Sequence, residues 1–203
     1  MKSLVLPLAL CAALPACDVT AGSEPAAARS TTVAAQTPSR GRLVAGERVE
    51  RVIAWPDPAS RDERTRARLS PAALAAVAAS PVPVLAPADP LWRPPQISSP
   101  RTPDGPGFGF SLATAAPGRT LTLHGSRLAT LLADVGRHEG PERLRGVPGF
   151  VSANEGIVTA TWIEHGAAYA LDLECASTRD PACALPALRA EVEALVLVGG
   201  GER

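Results

Sequence analysis

The run IVTATWIEHGAAYALDLEC, residues 157–175, decides the fold. Its side chains alternate between apolar and polar with a period of two, the mark of strands with one buried face. His165-Gly166 at its centre suits a two-residue hairpin turn, with glycine where φ must be positive. That turn sets Trp162 opposite Tyr169, Ala160 opposite Leu171 and Val158 opposite Leu173, six apolar or aromatic residues on one face. The other face pairs Thr161 with Ala170, Thr159 with Asp172 and Ile157 with Glu174, and is mostly polar. A three-residue turn would shift the register by one and scatter the apolar set between faces. Trp162, Tyr169 and Leu171 then form either the core beneath a covering helix or the lining of a ligand cavity. Aromatics on a covered sheet face are more often core.

Beyond the hairpin, Cys175 and Cys183 lie eight residues apart, with a turn at Asp180-Pro181 between them. The spacing is neither CxxC nor a zinc pattern, which favours a structural disulfide over a redox or metal pair. Closing so short a loop is worth about 2.5 kcal/mol in the chain-entropy estimate. Leu185, Leu188, Val192, Leu195 and Val196 fall near one face of a helix, with Pro186 in its first turn and Gly199-Gly200-Gly201 at its end. A sheet with one apolar face and a helix with one apolar stripe are natural partners. The expected architecture is α+β, an antiparallel sheet with helices packed on one face.

Before the hairpin, Phe108, Phe110 and Leu112 alternate with small or polar residues, and so do Leu121 and Leu123. A four-residue turn at 115–118 would face Leu112 with Leu121 and Phe110 with Leu123. Ser126 is then read as the cap of a short helix carrying Leu128, Leu131, Leu132 and Val135, closed by Gly136. Residues 137–142 read as a loop, and 144–152 as an irregular strand interrupted at Pro148-Gly149. Further back, Val49 to Trp55 is a short strand, and the mixed charges of Arg61 to Arg68 read as a solvated surface. Ser70-Pro71 opens a helix over 71–79. Pro81, Pro83 and Pro87 force 82–86 to be extended, and the prolines of 90–106 argue against regular structure there.

The chain begins with one positive charge at Lys2, an uncharged apolar run from Ser3 to Leu14, and small residues after it. The run is too short to span a bilayer, which takes about 20 apolar residues; the pattern is that of a secretory signal. Leu14-Pro15-Ala16-Cys17 resembles the lipobox of bacterial lipoproteins, in which the cysteine is acylated and becomes the new N-terminus. Leu14, Ala16 and Cys17 match that pattern, and Pro15 departs from it. Ordinary secretion, with cleavage near Ala21-Gly22, is the alternative. Asp18 resembles a signal for retention at the inner membrane. The organisation is therefore a signal peptide with lipobox over 1–17, a flexible tether over 18–41, a Pro-rich segment with one short helix over 42–106, and an α+β domain over 107–199. The expected place is the cell envelope, on a membrane-anchored chain facing the periplasm.

Composition narrows the function without naming it. Of 203 residues only 3% are aromatic, so one modest core is what the chain supports. The formal net charge is zero, and Lys2 is the only lysine. Neither a nucleic-acid surface nor an acidic tail is indicated. His124, His138 and His165 stand in no spacing that sets two metal ligands on one helical face. His138-Glu139 could close on a metal, but exposed loop residues are the commoner explanation. Glu164 and His165 could project together from the hairpin tip as a contact site. Asn154-Glu155-Gly156 reads as a turn, and no GxSxG elbow or phosphate-binding glycine loop is present. No cofactor or metal is expected.

The stretch Gly149-Phe150-Val151, then Asn154-Glu155-Gly156-Ile157-Val158-Thr159-Ala160-Thr161-Trp162, and His165-Gly166-Ala167-Ala168-Tyr169 resembles a segment of exported bacterial lipoproteins of uncharacterised role. Pro81-Val82-Pro83-Val84-Leu85-Ala86-Pro87 is similar to a motif nearer their start. More remotely, the Trp, Gly, Tyr and terminal-helix order resembles the extracytoplasmic sensor domains of anti-sigma regulators and the periplasmic lipoprotein carriers. That resemblance implies a curved antiparallel sheet with helices on its concave face, in some members holding an acyl chain. The expected role is a non-enzymatic binding or sensing module for an envelope protein or an apolar ligand. The alternatives are an envelope hydrolase using Glu155, His138 or His165, and a structural part of an envelope assembly.

Overall fold

The computed structural model describes residues 46–103, 105–131, 139–177 and 179–201. The signal and lipidation readings at 1–17 with Cys17, the tether at 18–41, and His138 lie outside those residues. The described chain is mostly antiparallel β-sheet with few helices. In chain order it runs β1 (Glu47–Glu50), a 3-10 turn (Pro58–Ser60), α1 (Glu63–Arg66), α2 (Pro71–Ala79), β2 (Val84–Pro87), β3 (Gln96–Ser98), β4 (Arg101–Thr102) and β5 (Gly105–Pro106). Then follow β6 (Gly109–Ala116), β7 (Arg119–Ser126), β8 (Leu128–Leu131), β9 (Glu142–Leu144), β10 (Val147–Asn154), β11 (Ile157–Glu164) and β12 (Ala167–Cys175). A second 3-10 turn (Pro181–Cys183), α3 (Leu185–Glu193) and β13 (Leu195–Gly199) complete it.

Seven strands form the main sheet in the order β3-β6-β7-β12-β11-β10-β9. The β11–β12 hairpin has the register its alternation dictates: Trp162 opposite Tyr169, Ala160 opposite Leu171, Val158 opposite Leu173. Three two-residue turns in this sheet put a non-glycine and then a glycine at positive φ. They are Arg145-Gly146, Glu155-Gly156 and His165-Gly166, the backbone that matches strand twist.

The β6–β7 hairpin differs from its expected register by two residues. Its turn is Pro117-Gly118 alone, so Leu112 faces Leu123 and Phe110 faces Gly125. A Cβ on Gly125 would stand 2.3 Å from the Phe110 ring. The ring thus covers a position only glycine can hold.

Several elements replace what the sequence predicts. Strand β1 ends at Glu50, and Arg51 to Trp55 continues without regular structure. The Pro-rich stretch 90–106 carries the short strands β3, β4 and β5, since a two- or three-residue strand needs few backbone donors. Leu128 to Leu131 is not helix but β8, paired with β1; the rest of the expected helix, 132–136, lies outside the described residues. Ser126 Oγ accepts from the Leu128 N–H at 3.0 Å, closing a turn rather than capping a helix. Pro148-Gly149 does not interrupt β10 but sits within it. The last helix stops at Glu193, and Leu195 to Gly199 leaves as β13 to pair with β2. Leu195 and Val196 fall three and four residues past Val192, so helical spacing accommodates them, but their apolar run meets a strand partner more than a hundred residues earlier.

Helix α2 has the expected bounds, and Ser70 Oγ accepts from the Ala73 N–H at 3.1 Å. One core unites both halves of the described chain: Ala73, Val77, Val82, Val84, Leu85 and Trp92 belong to the same buried cluster as Leu112, Leu123, Leu171, Leu188 and Val192. Residues 42–106 thus contribute to the same core as 107–199. The disulfide Cys175–Cys183, with Cα atoms 6.0 Å apart, joins the end of β12 to the approach of α3.

Candidate functional site

The aromatic face of the hairpin is filled by its own side chains. Trp162 and Tyr169 are buried and stack with ring centroids 5.3 Å apart, and Leu171 is fully buried beside them. The Tyr169 hydroxyl donates to the Pro83 carbonyl at 2.8 Å. Burial, and after it the nearby Glu164 carboxylate, pushes the Tyr169 phenol far above its ordinary pKa.

An open concavity among the described residues lies at the end of the sheet where the Arg145 and His165 turns meet. It is a cleft of about 440 Å³. Pro56, Leu85, Val196 and Leu197 supply its apolar lining, and Ser60, Arg61, Asp62, Arg145 and His165 its polar lining. That size and mixture fall within the range of pockets that hold small ligands or a partner's side chain.

Each polar group is placed by a separate element. Asp62 caps α1, its carboxylate accepting from the Thr65 N–H at 2.6 Å. That backbone bond, then the Thr65 hydroxyl, holds its carboxyl below the usual carboxylate range. The backbone N–H of Asp62 donates to the Leu197 carbonyl at 2.8 Å, tying the cleft wall to β13. Arg145 occupies the left-handed first position of its turn, with φ at 52°. Its Nε donates to Glu164 Oε2 at 2.7 Å, and its Nη1 to the Leu195 carbonyl at 2.6 Å. Its backbone N–H donates to Glu193 Oε1. Glu164 also accepts from Trp162 Nε1 at 3.2 Å.

His165 is different. It too is left-handed, with φ at 54°, and its Nε2 lies 3.5 Å from Glu164 Oε1. Its side chain keeps about a third of its surface exposed, at 34%. A non-glycine in this conformation carries a strain of order 1 kcal/mol and is enriched at functional positions. Arg145 offsets that strain with four hydrogen-bond partners, whereas the His165 carbonyl accepts from the Ala54 N–H at 2.9 Å and its ring lines the cleft.

Of the residues singled out from sequence, Glu164 and His165 do adjoin, though Glu164 turns to Arg145 and Trp162 rather than outward. His124 is on the exposed face of β7. Glu155 lies at the opposite end of β11 from His165, roughly 30 Å away at strand rise, so these two share no site. Arg145, Asp62 and Ser60 were not singled out. Their one visible signal was Arg145-Gly146, an X-Gly pair like the turn at 165–166, between Leu144 and Val147. The charged run 61–68 is also more than a solvated surface: Arg66 donates to the Val198 carbonyl at 2.8 Å and Arg68 to the Trp92 carbonyl at 2.7 Å.

Among the described residues, no group of three His, Cys, Asp or Glu side chains could hold a metal ion. No described helix is long and apolar enough to cross a membrane. No protein-family model, no curated protein and no solved structure matches this chain.

Proposed function

We propose that this chain is an envelope lipoprotein, exported by residues 1–17 and anchored through acylated Cys17, whose sheet domain is a non-enzymatic binding or sensing module. In this reading helices α2 and α3 lie on the apolar face of the sheet, as their share in its core supports. The module recognises a partner protein at the cleft beside His165. One observation carries this: the aromatic face is occupied by its own stacked rings, while a half-apolar cleft stays open beside His165, whose side chain is about a third exposed. A cavity for an acyl chain beneath the sheet finds no support in that packing. A hydrolase reading on Glu155 and His165 finds none in their separation.

Two measurements test the proposal. Palmitate labelling and membrane fractionation of the full chain should both be lost in Cys17→Ala. A chain found in the cytosol with its initiator methionine would overturn the export reading. A photocrosslinker placed at residue 165 in cells should give one discrete adduct, with none from the same probe at Ala75 on α2. No adduct at 165 would overturn the binding reading.

A further inference from the structure

Residues 52–56 read Val-Ile-Ala-Trp-Pro, five apolar residues in a row without regular structure, laid across one end of the main sheet. Two hydrogen bonds tie this strap to the β11–β12 turn. The Ala54 N–H donates to the His165 carbonyl at 2.9 Å, and Arg51 Nε donates to the Gly166 carbonyl at 2.9 Å. The strap lies so close to the turn that a Cβ on Gly166 would stand 2.1 Å from the Val52 carbonyl oxygen. Ile53 packs against the core, and in an extended backbone its neighbours then turn outward. Val52 is accordingly 91% exposed, the most of any large apolar side chain among the described residues, and Ala54 is exposed too. Trp55 rests one edge of its ring on Gly200 and is 39% exposed. Ile163, two residues before the turn, adds another exposed apolar side chain at this end of the sheet.

A contiguous apolar run left in water marks an interaction site. This one projects from the end of a sheet instead of lining a concavity, so it suits a plane better than a pocket. The surface of a bilayer is such a plane. Trp55 has the amphipathic ring that collects at the boundary between acyl chains and headgroups. Arg48 and Arg51 precede the strap, and Glu47 and Glu50 balance their charge. The contact is therefore apolar first and does not depend on anionic lipid.

The order of the chain favours a bilayer over a second protein. Residues 18–45 join Cys17 to β1, and β1 runs straight into the strap. An acylated Cys17 therefore tethers the domain by the strand next to the strap. Confinement of that kind lets a shallow apolar contact form without a high affinity of its own. We infer that the strap docks on the phospholipid bilayer that holds the anchor, with Val52 and Trp55 entering the boundary of the acyl chains. The inference rests on the anchor proposed for Cys17 and leaves the occupant of the cleft open.

One set of samples tests the docking and the anchor separately. The purified full chain is mixed with vesicles of phosphatidylethanolamine and phosphatidylglycerol whose acyl chains are brominated near the headgroup, and flotation and tryptophan emission are read together. Trp92 and Trp162 are buried, so quenching should come from Trp55, and Trp55→Phe should abolish it. Val52→Asp should lower the quenching roughly threefold, because a carboxylate resists leaving water, and should leave the far-ultraviolet spectrum unchanged. A chain that floats with Trp55 unquenched would overturn the docking and leave the anchor standing. A chain that is quenched in excess lipid but does not float would overturn the anchor and keep the docking. Equal quenching in Val52→Asp would also overturn the docking. So would a blue shift of Trp55 emission with rising chain concentration and no lipid, which would assign the strap to a second copy.

Discussion

Helix α3 is fastened to the sheet at both ends, by chemistry of two kinds. At its start Cys183 is bonded to Cys175 at the end of β12. At its far end Arg145 reaches from the β9–β10 turn to the Leu195 carbonyl, while the Arg145 backbone N–H holds Glu193. The covalent fastening acts largely by restricting the unfolded chain, so it does not depend on protonation. The other acts only in the folded state, through a guanidinium that donates to the Val192 and Leu195 carbonyls while Glu164 of β11 holds it in place, the two charged groups being 17% and 14% exposed. Similar tasks are thus set against different costs: a loop closed in advance at one end, two desolvated charges at the other.

Four predictions sharpen or break this contrast. The largest effect is expected from Arg145→Ala, which strands Glu164 and two carbonyls. It should cost about 3 kcal/mol in urea unfolding, and Arg145→Lys should recover less than half of it, because an ammonium lacks the planar fork. Next, Cys183→Ser should cost about 2.5 kcal/mol. Its effect should add to that of Arg145→Ala within about 0.5 kcal/mol if the two fastenings are independent; a larger deviation would show that they are one device.

The third prediction concerns pH at the Arg145 end. Tyr169 is the only tyrosine in the chain, and its pKa is raised in the fold. Its neutral phenol therefore contributes stability that is complete below the unfolded value of about 10 and is lost as pH climbs beyond it. Tyrosinate absorbance should appear together with loss of structure, and Tyr169→Phe should shift that alkaline transition upward. Ionisation near 10 in an intact fold would contradict the burial. The smallest effect belongs to Glu155, which shares the turn geometry of Arg145 but is exposed and fastens nothing. Glu155→Asn should gain about 0.5 kcal/mol, since Asn tolerates the left-handed conformation better.

What could be read from the sequence follows from where each partner lies. The β11–β12 register was legible because both strands and their turn occupy one short run with unbroken alternation. Helix α2 was legible because a serine cap and a proline announce it locally. Strands β8 and β13 were not, because their partners β1 and β2 lie about eighty and about a hundred and ten residues away and leucine spacing mimicked a helical face. The cleft was half legible. His165 and Glu164 stood out at the hairpin tip, but Arg145 depends on carbonyls brought to it by α3 and β13, and Asp62 on a four-residue helix hidden in a run of charges.

Phe110 over Gly125 has a kinetic consequence. A hairpin slipped by two residues keeps every side chain on its proper face, so the inside–outside pattern alone would not reject Leu112 against Leu121. The bare backbone beneath the aromatic ring does. It acts as a fidelity check on strand pairing, and an alanine at 125 would force the Phe110 ring aside, removing the check and loosening the mature hairpin together.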